Sequence, residues 1–167
     1  MKLLSGGQSG VDRAALDVAL ERGVEYGGWC PKGGWAEDFP TPPGVLRAYP
    51  RLRETPLADP AQRTEWNVRA ADLCLIVVDQ AGLAASAGTS LASDLAGRYG
   101  KPFRIFEADG SEAAVIDAAA WLAAERARLR KDLTLAVGGP RESEAPGIYG
   151  RAKAFLHAVL DRQGSGG

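Results

Sequence analysis

Five consecutive apolar residues, Cys74-Leu75-Ile76-Val77-Val78, constrain this chain more than any other stretch. A strand with one wet face alternates apolar and polar residues. This run does not, so it reads as a strand covered on both faces, as in a parallel sheet between two helical layers. The rest of the pattern agrees. β-like runs at 2–4, 25–28, 103–106 and 133–137 alternate with helical patterns over about 10–22, 59–71, 89–99, 111–130 and 147–161. Val11, Ala14, Ala15 and Val18 recur at i, i+3, i+4, i+7, and Ile148, Ala152, Phe155 and Val159 share one face of the last helix. Ala92, Leu95, Ala96 and Tyr99 are expected to face inward. Asp59-Pro60 has the chemistry of an N-cap followed by the first helical residue, and Gly23 and Gly100 stop helices. Strands alternating with helices predict an α/β, Rossmann-like three-layer sandwich, with a mainly parallel five-stranded sheet and helices on both faces. One ligand-binding domain is expected over 1–162, with Gln163–Gly167 as a frayed tail.

Each of three helices is preceded by a strand and a glycine-bearing turn: Ser5-Gly6-Gly7-Gln8-Ser9-Gly10, Ala87-Gly88-Thr89-Ser90 and Gly138-Gly139-Pro140-Arg141-Glu142-Ser143. A glycine turn at a helix N-terminus frees backbone N–H groups and adds the positive end of the helix dipole, which suits phosphate. One such turn is a weak signal; three at strand carboxyl ends are a stronger one. The hydroxyls Ser5, Ser9, Thr89, Ser90 and Ser143 either cap helices or meet phosphate oxygens. Arg13 stands in a helix's first turn, where a cation opposes the dipole at a cost of up to about 1 kcal/mol, so an anionic partner is expected. Arg141, Lys32 (beside Gly33), and Arg63 with Asn67 on one face of the second helix are further polar candidates. Asp12 is placed to pair with Arg13 or Lys32 or to hold a ribose hydroxyl. Glu65 and Arg141 are the candidates for acid–base work. His157, the only histidine, lies far from the turns and reads as structural. No Ser-His-Asp set, Walker lysine or His/Cys metal spacing is present, so no metal site is expected.

Residues 29–58 carry six prolines and no periodicity. Loops of that length inside compact domains are usually functional, and Trp29, Trp35, Phe39 and Tyr49 are costly to leave in water. The formal net charge of −1 gives no bulk attraction to nucleic acid. No apolar run approaches the roughly 20 residues of a membrane span. With the N-terminus leading straight into a strand and two unspaced cysteines, Cys30 and Cys74, a cytoplasmic location is expected. The run Ala118-Ala119-Ala120-Trp121-Leu122 serves packing or a dimer face, and a homo-oligomer (dimer or tetramer) is expected.

Several of these segments together resemble one family. They are Ser5-Gly6-Gly7-Gln8-Ser9-Gly10-Val11-Asp12-Arg13, Gly27-Gly28-Trp29-Cys30-Pro31-Lys32-Gly33 with Ala36-Glu37-Asp38, Gln62-Arg63-Thr64-Glu65-Trp66-Asn67-Val68-Arg69, and Gly139-Pro140-Arg141-Glu142-Ser143 with Pro146-Gly147-Ile148-Tyr149. The chain is similar over nearly its whole length to the "putative molybdenum carrier" group, the circularly permuted YpsA-like branch of the SLOG superfamily. The resemblance implies a Rossmann-like fold that binds nucleotide-derived ligands, and the carrier name implies molybdenum cofactor, an anionic pterin phosphate. The permutation implies strand order 2-1-5-3-4, with all three glycine turns meeting in one crevice. The related Lonely Guy branch hydrolyses nucleoside monophosphates and carries a glutamate on the helix after its Gly-Thr. Here Gly88-Thr89 are followed by Ser90-Leu91-Ala92-Ser93-Asp94 without it, which favours binding without turnover. Three readings remain open: an anion-binding carrier or store, a nucleotide N-glycoside hydrolase, and a nucleotide-sensing or partner-binding module. For the first, Trp29 or Trp66 would offer a stacking face.

Overall fold

The computed structural model describes residues 1–164. Its centre is a sheet of five parallel strands, in the spatial order β2 (Glu25–Gly27), β1 (Lys2–Leu4), β7 (Thr134–Gly138), β5 (Leu73–Val78), β6 (Phe103–Glu107). Two further strands, β3 (Trp29–Cys30) and β4 (Arg53–Glu54), form a small parallel sheet of their own. Counting the five long-sheet strands alone, the order is the expected 2-1-5-3-4. The last strand sits in the middle, between the first and third, so the turns after β1, β5 and β7 emerge side by side.

The fully buried run behaves as its composition demands. Leu73, Leu75 and Val77 point into a core built with α1 (Val11–Glu21), α4 (Glu112–Leu129) and α5 (Ile148–Gly164). Cys74 points the other way, into a smaller core with Leu4, Ala136, Val68 of α2 (Pro60–Ala70), and Leu95 and Ala96 of α3 (Ala87–Arg98). Helices therefore cover both faces, but the α2–α3 layer is narrower than the α1–α4–α5 layer. Ala118, Ala119 and Leu122 are buried, which accounts for most of the alanine-rich run by packing. His157 is structural: its Nδ1 accepts from Arg22 Nε at 2.8 Å and its Nε2 meets Glu21 at 2.8 Å, joining α5 to α1.

Four local expectations are corrected. The second strand stops at Gly27, and the chain then starts β3. The region 29–58 is not featureless, because β3, β4 and two 3₁₀ turns over 32–34 and 44–47 organise it. Helix α3 begins at Ala87 with Ser86 as N-cap, and Tyr99, its C-cap, is 37% exposed rather than inward. A frayed tail is expected from Gln163, but Gln163 is helical. Gln163 and Gly164 belong to α5, with Gln163 Nε2 donating to the Ala119 carbonyl at 2.7 Å, and residues 165–167 lie outside those described. Among the described residues no helix is long and apolar enough to cross a membrane.

Candidate functional site

A cavity of about 270 Å³ opens at the carboxyl ends of β1, β5 and β7. All three turns reach it: Gln8 and Asp12 from the first, Ser86, Gly88 and Thr89 from the second, and Gly138, Gly139 and Arg141 from the third. Pro60, Ala61, Arg63 and Thr64 of α2 close one side. The turns meet tightly because their glycines permit it. A Cβ on Gly139 would overlap the Val77 carbonyl oxygen and stand 2.6 Å from Val11 Cγ2. A Cβ on Gly6 would fall on the Arg63 guanidinium.

The floor is an ion pair. Arg63 Nη1 donates to Asp12 Oδ2 at 3.0 Å, with the two side chains 16% and 4% exposed. The Gln8 N–H also reaches that oxygen, at 3.4 Å. Burial pushes the Asp12 carboxyl above its ordinary range, and the Arg63 charge offsets only part of that. Beneath the pair is a small inner void of about 40 Å³, lined among others by Ser5, Gly6 and Asn67.

The three helix N-termini are not equivalent. Asp12 itself lies in the first turn of α1 and supplies a carboxylate to that dipole. At α5, the Glu142 carboxylate accepts from the N–H groups of Gly147 and Tyr149, the latter at 3.0 Å. Among the described residues only α3 has no carboxylate either in its first turn or hydrogen-bonded to its first N–H groups. The Ser86 hydroxyl accepts from the Thr89 N–H at 3.2 Å, while the Ala87 and Gly88 N–H groups are too early in the helix for intrahelical partners. Thr89 Oγ1 is buried and has no hydrogen-bond partner, and the Nε of Arg63 shares that condition. Both residues line the cavity. Arg141 is held loosely beside them, with its Nε 3.4 Å from Glu144 and its Nη1 3.9 Å from Glu37.

Many residues proposed for the ligand have other duties. Arg13 does have its anion, but it is internal: Nη1 and Nη2 grip Asp38 at 2.8 and 2.9 Å, Nη2 also donates to the Gly7 carbonyl at 3.2 Å, and the guanidinium lies over Phe39. Ser9 and Ser143 both donate to Glu37, and Ser9 Oγ accepts from the Glu142 N–H at 3.0 Å. Burial works against the Glu37 charge, yet these hydrogen bonds and Arg141 outweigh it and hold the carboxyl below its ordinary range. Ser5 Oγ donates to the Asp12 carbonyl at 2.8 Å, Gly10 is the N-cap of α1, and Ser90 Oγ donates to the Leu83 carbonyl at 2.9 Å. Asn67 clamps the Trp29 backbone, accepting from its N–H and donating to its carbonyl, each at 2.9 Å.

Lys32, Gly33 and Trp29 stand outside the cavity. Lys32 opens a 3₁₀ turn, Gly33 N–H donates to Glu54 at 2.7 Å, and Trp29 packs edge-to-face on Trp66. Glu65 is also outside, its carboxylate accepting from the Tyr99 hydroxyl near Arg69. Residues that sequence reasoning did not assign are Ser86, Glu37, Asp38 and Glu144. Ser86, three positions before Thr89, carried a readable N-cap signal. The others act across 25 or more positions or within an aperiodic turn.

Parallel strands in this order, with a crevice where their carboxyl ends meet, define a Rossmann-like α/β protein of permuted topology. The chain belongs to the circularly permuted YpsA SLOG family, whose model matches residues 3–160. It is also similar to the crystal structure of a "putative molybdenum carrier protein" from Syntrophus aciditrophicus SB, with 34% identity, a TM-score of 0.79, and 95% of this chain and 94% of that one covered. No curated protein matches the chain.

Proposed function

We propose that this protein binds a small phosphate-bearing ligand in the crevice, with the phosphate seated on the first turn of α3. One observation carries the reading: of the three glycine-turn helices, α3 alone has no carboxylate in its first turn or on its first N–H groups, and there Thr89, which lines the cavity, has a buried Oγ1 without a partner. An oxyanion would accept from the Ala87 and Gly88 N–H groups and the Thr89 hydroxyl. Arg141, whose contacts at 3.4 and 3.9 Å are easily exchanged, would supply the charge-assisted bond.

The similarity to a molybdenum carrier makes molybdenum cofactor one candidate, and the family's nucleotide-like ligands make a mononucleotide the other. Among the described residues no three His, Cys, Asp or Glu are grouped to hold a metal ion. A molybdenum-bearing ligand would thus be gripped by its phosphate and organic frame. The role is carrying or sensing rather than cleavage, because Glu65, the candidate base, accepts from Tyr99 outside the crevice.

Calorimetry with molybdenum cofactor, AMP, NAD and ADP-ribose tests the proposal, alongside chromatography for free base. Binding of at least one, weakened tenfold or more by Arg141→Ala and by Thr89→Val, is expected, with no base released. Failure of the whole panel to bind folded protein would count decisively against it, and release of free base would revive the hydrolase reading.

A further inference from the structure

The narrow α2–α3 layer leaves part of the sheet without a helix, and what fills that place has a distinct chemistry. Over β1 and β2, a cleft of about 290 Å³ is lined by Lys2, Gly27, Arg51, Arg53 and Trp29. It adjoins a second, of about 420 Å³, formed by Trp66, Arg69, Ala70 and the same Trp29. Trp29 and Trp66 are half-buried, 5.8 Å apart and edge-to-face at 83°, so ring surface faces the groove.

Four cations line the two clefts: Lys2, Arg51 and Arg53 beside Trp29 in the first, and Arg69 beside both indoles in the second. Lys2 is engaged by Glu25 at 2.7 Å, and Arg69 loosely by Glu65 at 4.0 Å. The Arg51 guanidinium lies 5.5 Å over the Tyr26 ring. The Arg53 guanidinium is exposed and has no ion pair or hydrogen bond among the described residues. Two carboxylates thus face four cations. The combination has a definite meaning: π faces bind a planar ring, and guanidinium groups beside them bind its negative charge. The volumes suit a compact molecule, while the chain's net charge of −1 does not suit a nucleic-acid track.

We propose that this groove is a second ligand site, separate from the crevice, for a planar aromatic anion of mononucleotide size. The ring lies against Trp29 and Trp66, and the phosphate meets Arg53 with Arg51 or Arg69. The two sites share α2. Its Arg63 and Thr64 face the crevice while Trp66 and Arg69 face the groove, and Asn67 joins the helix to Trp29. The groove stands on its own observations and does not depend on what the crevice holds.

Calorimetric and tryptophan-fluorescence titrations with AMP, GMP and flavin mononucleotide decide it, using wild type, Arg53→Glu, Trp66→Phe and Thr89→Val. At least one mononucleotide should quench fluorescence in a phase that Arg53→Glu weakens tenfold or more, that Trp66→Phe alters, and that Thr89→Val leaves unchanged. Orthophosphate, lacking a ring, should not produce that phase. If the crevice binds nothing, a single Arg53-sensitive site should remain. The proposal is overturned if no mononucleotide shows an Arg53-sensitive phase, or if only an oligonucleotide or an acidic peptide does. Circular dichroism of Arg53→Glu, an exposed substitution, confirms that the variant is folded.

Discussion

Replacing Asp12 probes the crevice floor directly. The carboxylate is 4% exposed, 3.0 Å from an Arg63 guanidinium that is itself 16% exposed and has an unpartnered Nε. In Asp12→Ala the guanidinium keeps its burial and loses its anion. Breaking a buried pair from one side costs about 3–5 kcal/mol. The residual exposure of Arg63 places this case near the lower end, about 3 kcal/mol. Asp12→Asn keeps an oxygen for Arg63 and removes a charge that burial disfavours, so it should cost clearly less than Asp12→Ala.

The two variants should also differ from wild type in their pH dependence. Burial raises the Asp12 pKa above its unfolded value of 3.8, so the native state holds a proton where the unfolded state has released it. The contribution of this group is therefore full below that value and is lost as pH rises through the higher folded value. Relative to Asp12→Asn, wild-type stability should decline with rising pH across that window, by no more than about 1.4 kcal/mol per pH unit. Urea unfolding at a series of pH values from 3.5 upward measures both effects. Asp12→Ala within about 0.5 kcal/mol of wild type, with parallel pH profiles for wild type and Asp12→Asn, would refute the reasoning that the pair is buried and coupled.

Two further outcomes follow from the packing. Gly139→Ala places a Cβ against the Val77 carbonyl, a backbone atom that cannot swing aside, and should lower stability by about 2 kcal/mol or more. Gly138→Ala, whose Cβ would be 3.6 Å from Asp12 Oδ1, should be mild by comparison, and thermal unfolding of both checks the contrast. Asp38→Ala leaves Arg13, with a side chain 11% exposed, without its carboxylate and should loosen the 29–58 segment. Faster tryptic cleavage at Arg47, Arg51 or Arg53 is expected, and an unchanged cleavage rate would show that the pair does not hold the segment.

The fold was legible because it rests on local patterns. The apolar run over 74–78, the periodic helices and their glycine stops each report on a few neighbouring residues, and the permuted sheet order follows from the family resemblance. The site was legible only in outline. Three glycine turns could be read and expected to meet, but their occupants could not, because Asp38 reaches Arg13 and Glu37 reaches Ser143 across an aperiodic segment. Arg13 shows the difficulty well. Its place in a first turn called for an anion, and the structure supplies Asp38, yet nothing local distinguished an external phosphate from a carboxylate 25 positions away. Trp29 shows the converse, since motif membership suggested a ligand role, and only its edge-to-face packing on Trp66, outside the crevice, shows where its ring lies.

The central claim concerns the α3 N-terminus, and amide chemical shifts report on it residue by residue. In a ¹⁵N-labelled sample titrated with AMP or orthophosphate, the Ala87, Gly88 and Thr89 amides should show the largest saturable shifts, and Thr89→Val should reduce them. Saturable shifts confined to the turns at Ser5–Gly10 or Arg141–Ser143, with Gly88 unmoved, would contradict the account.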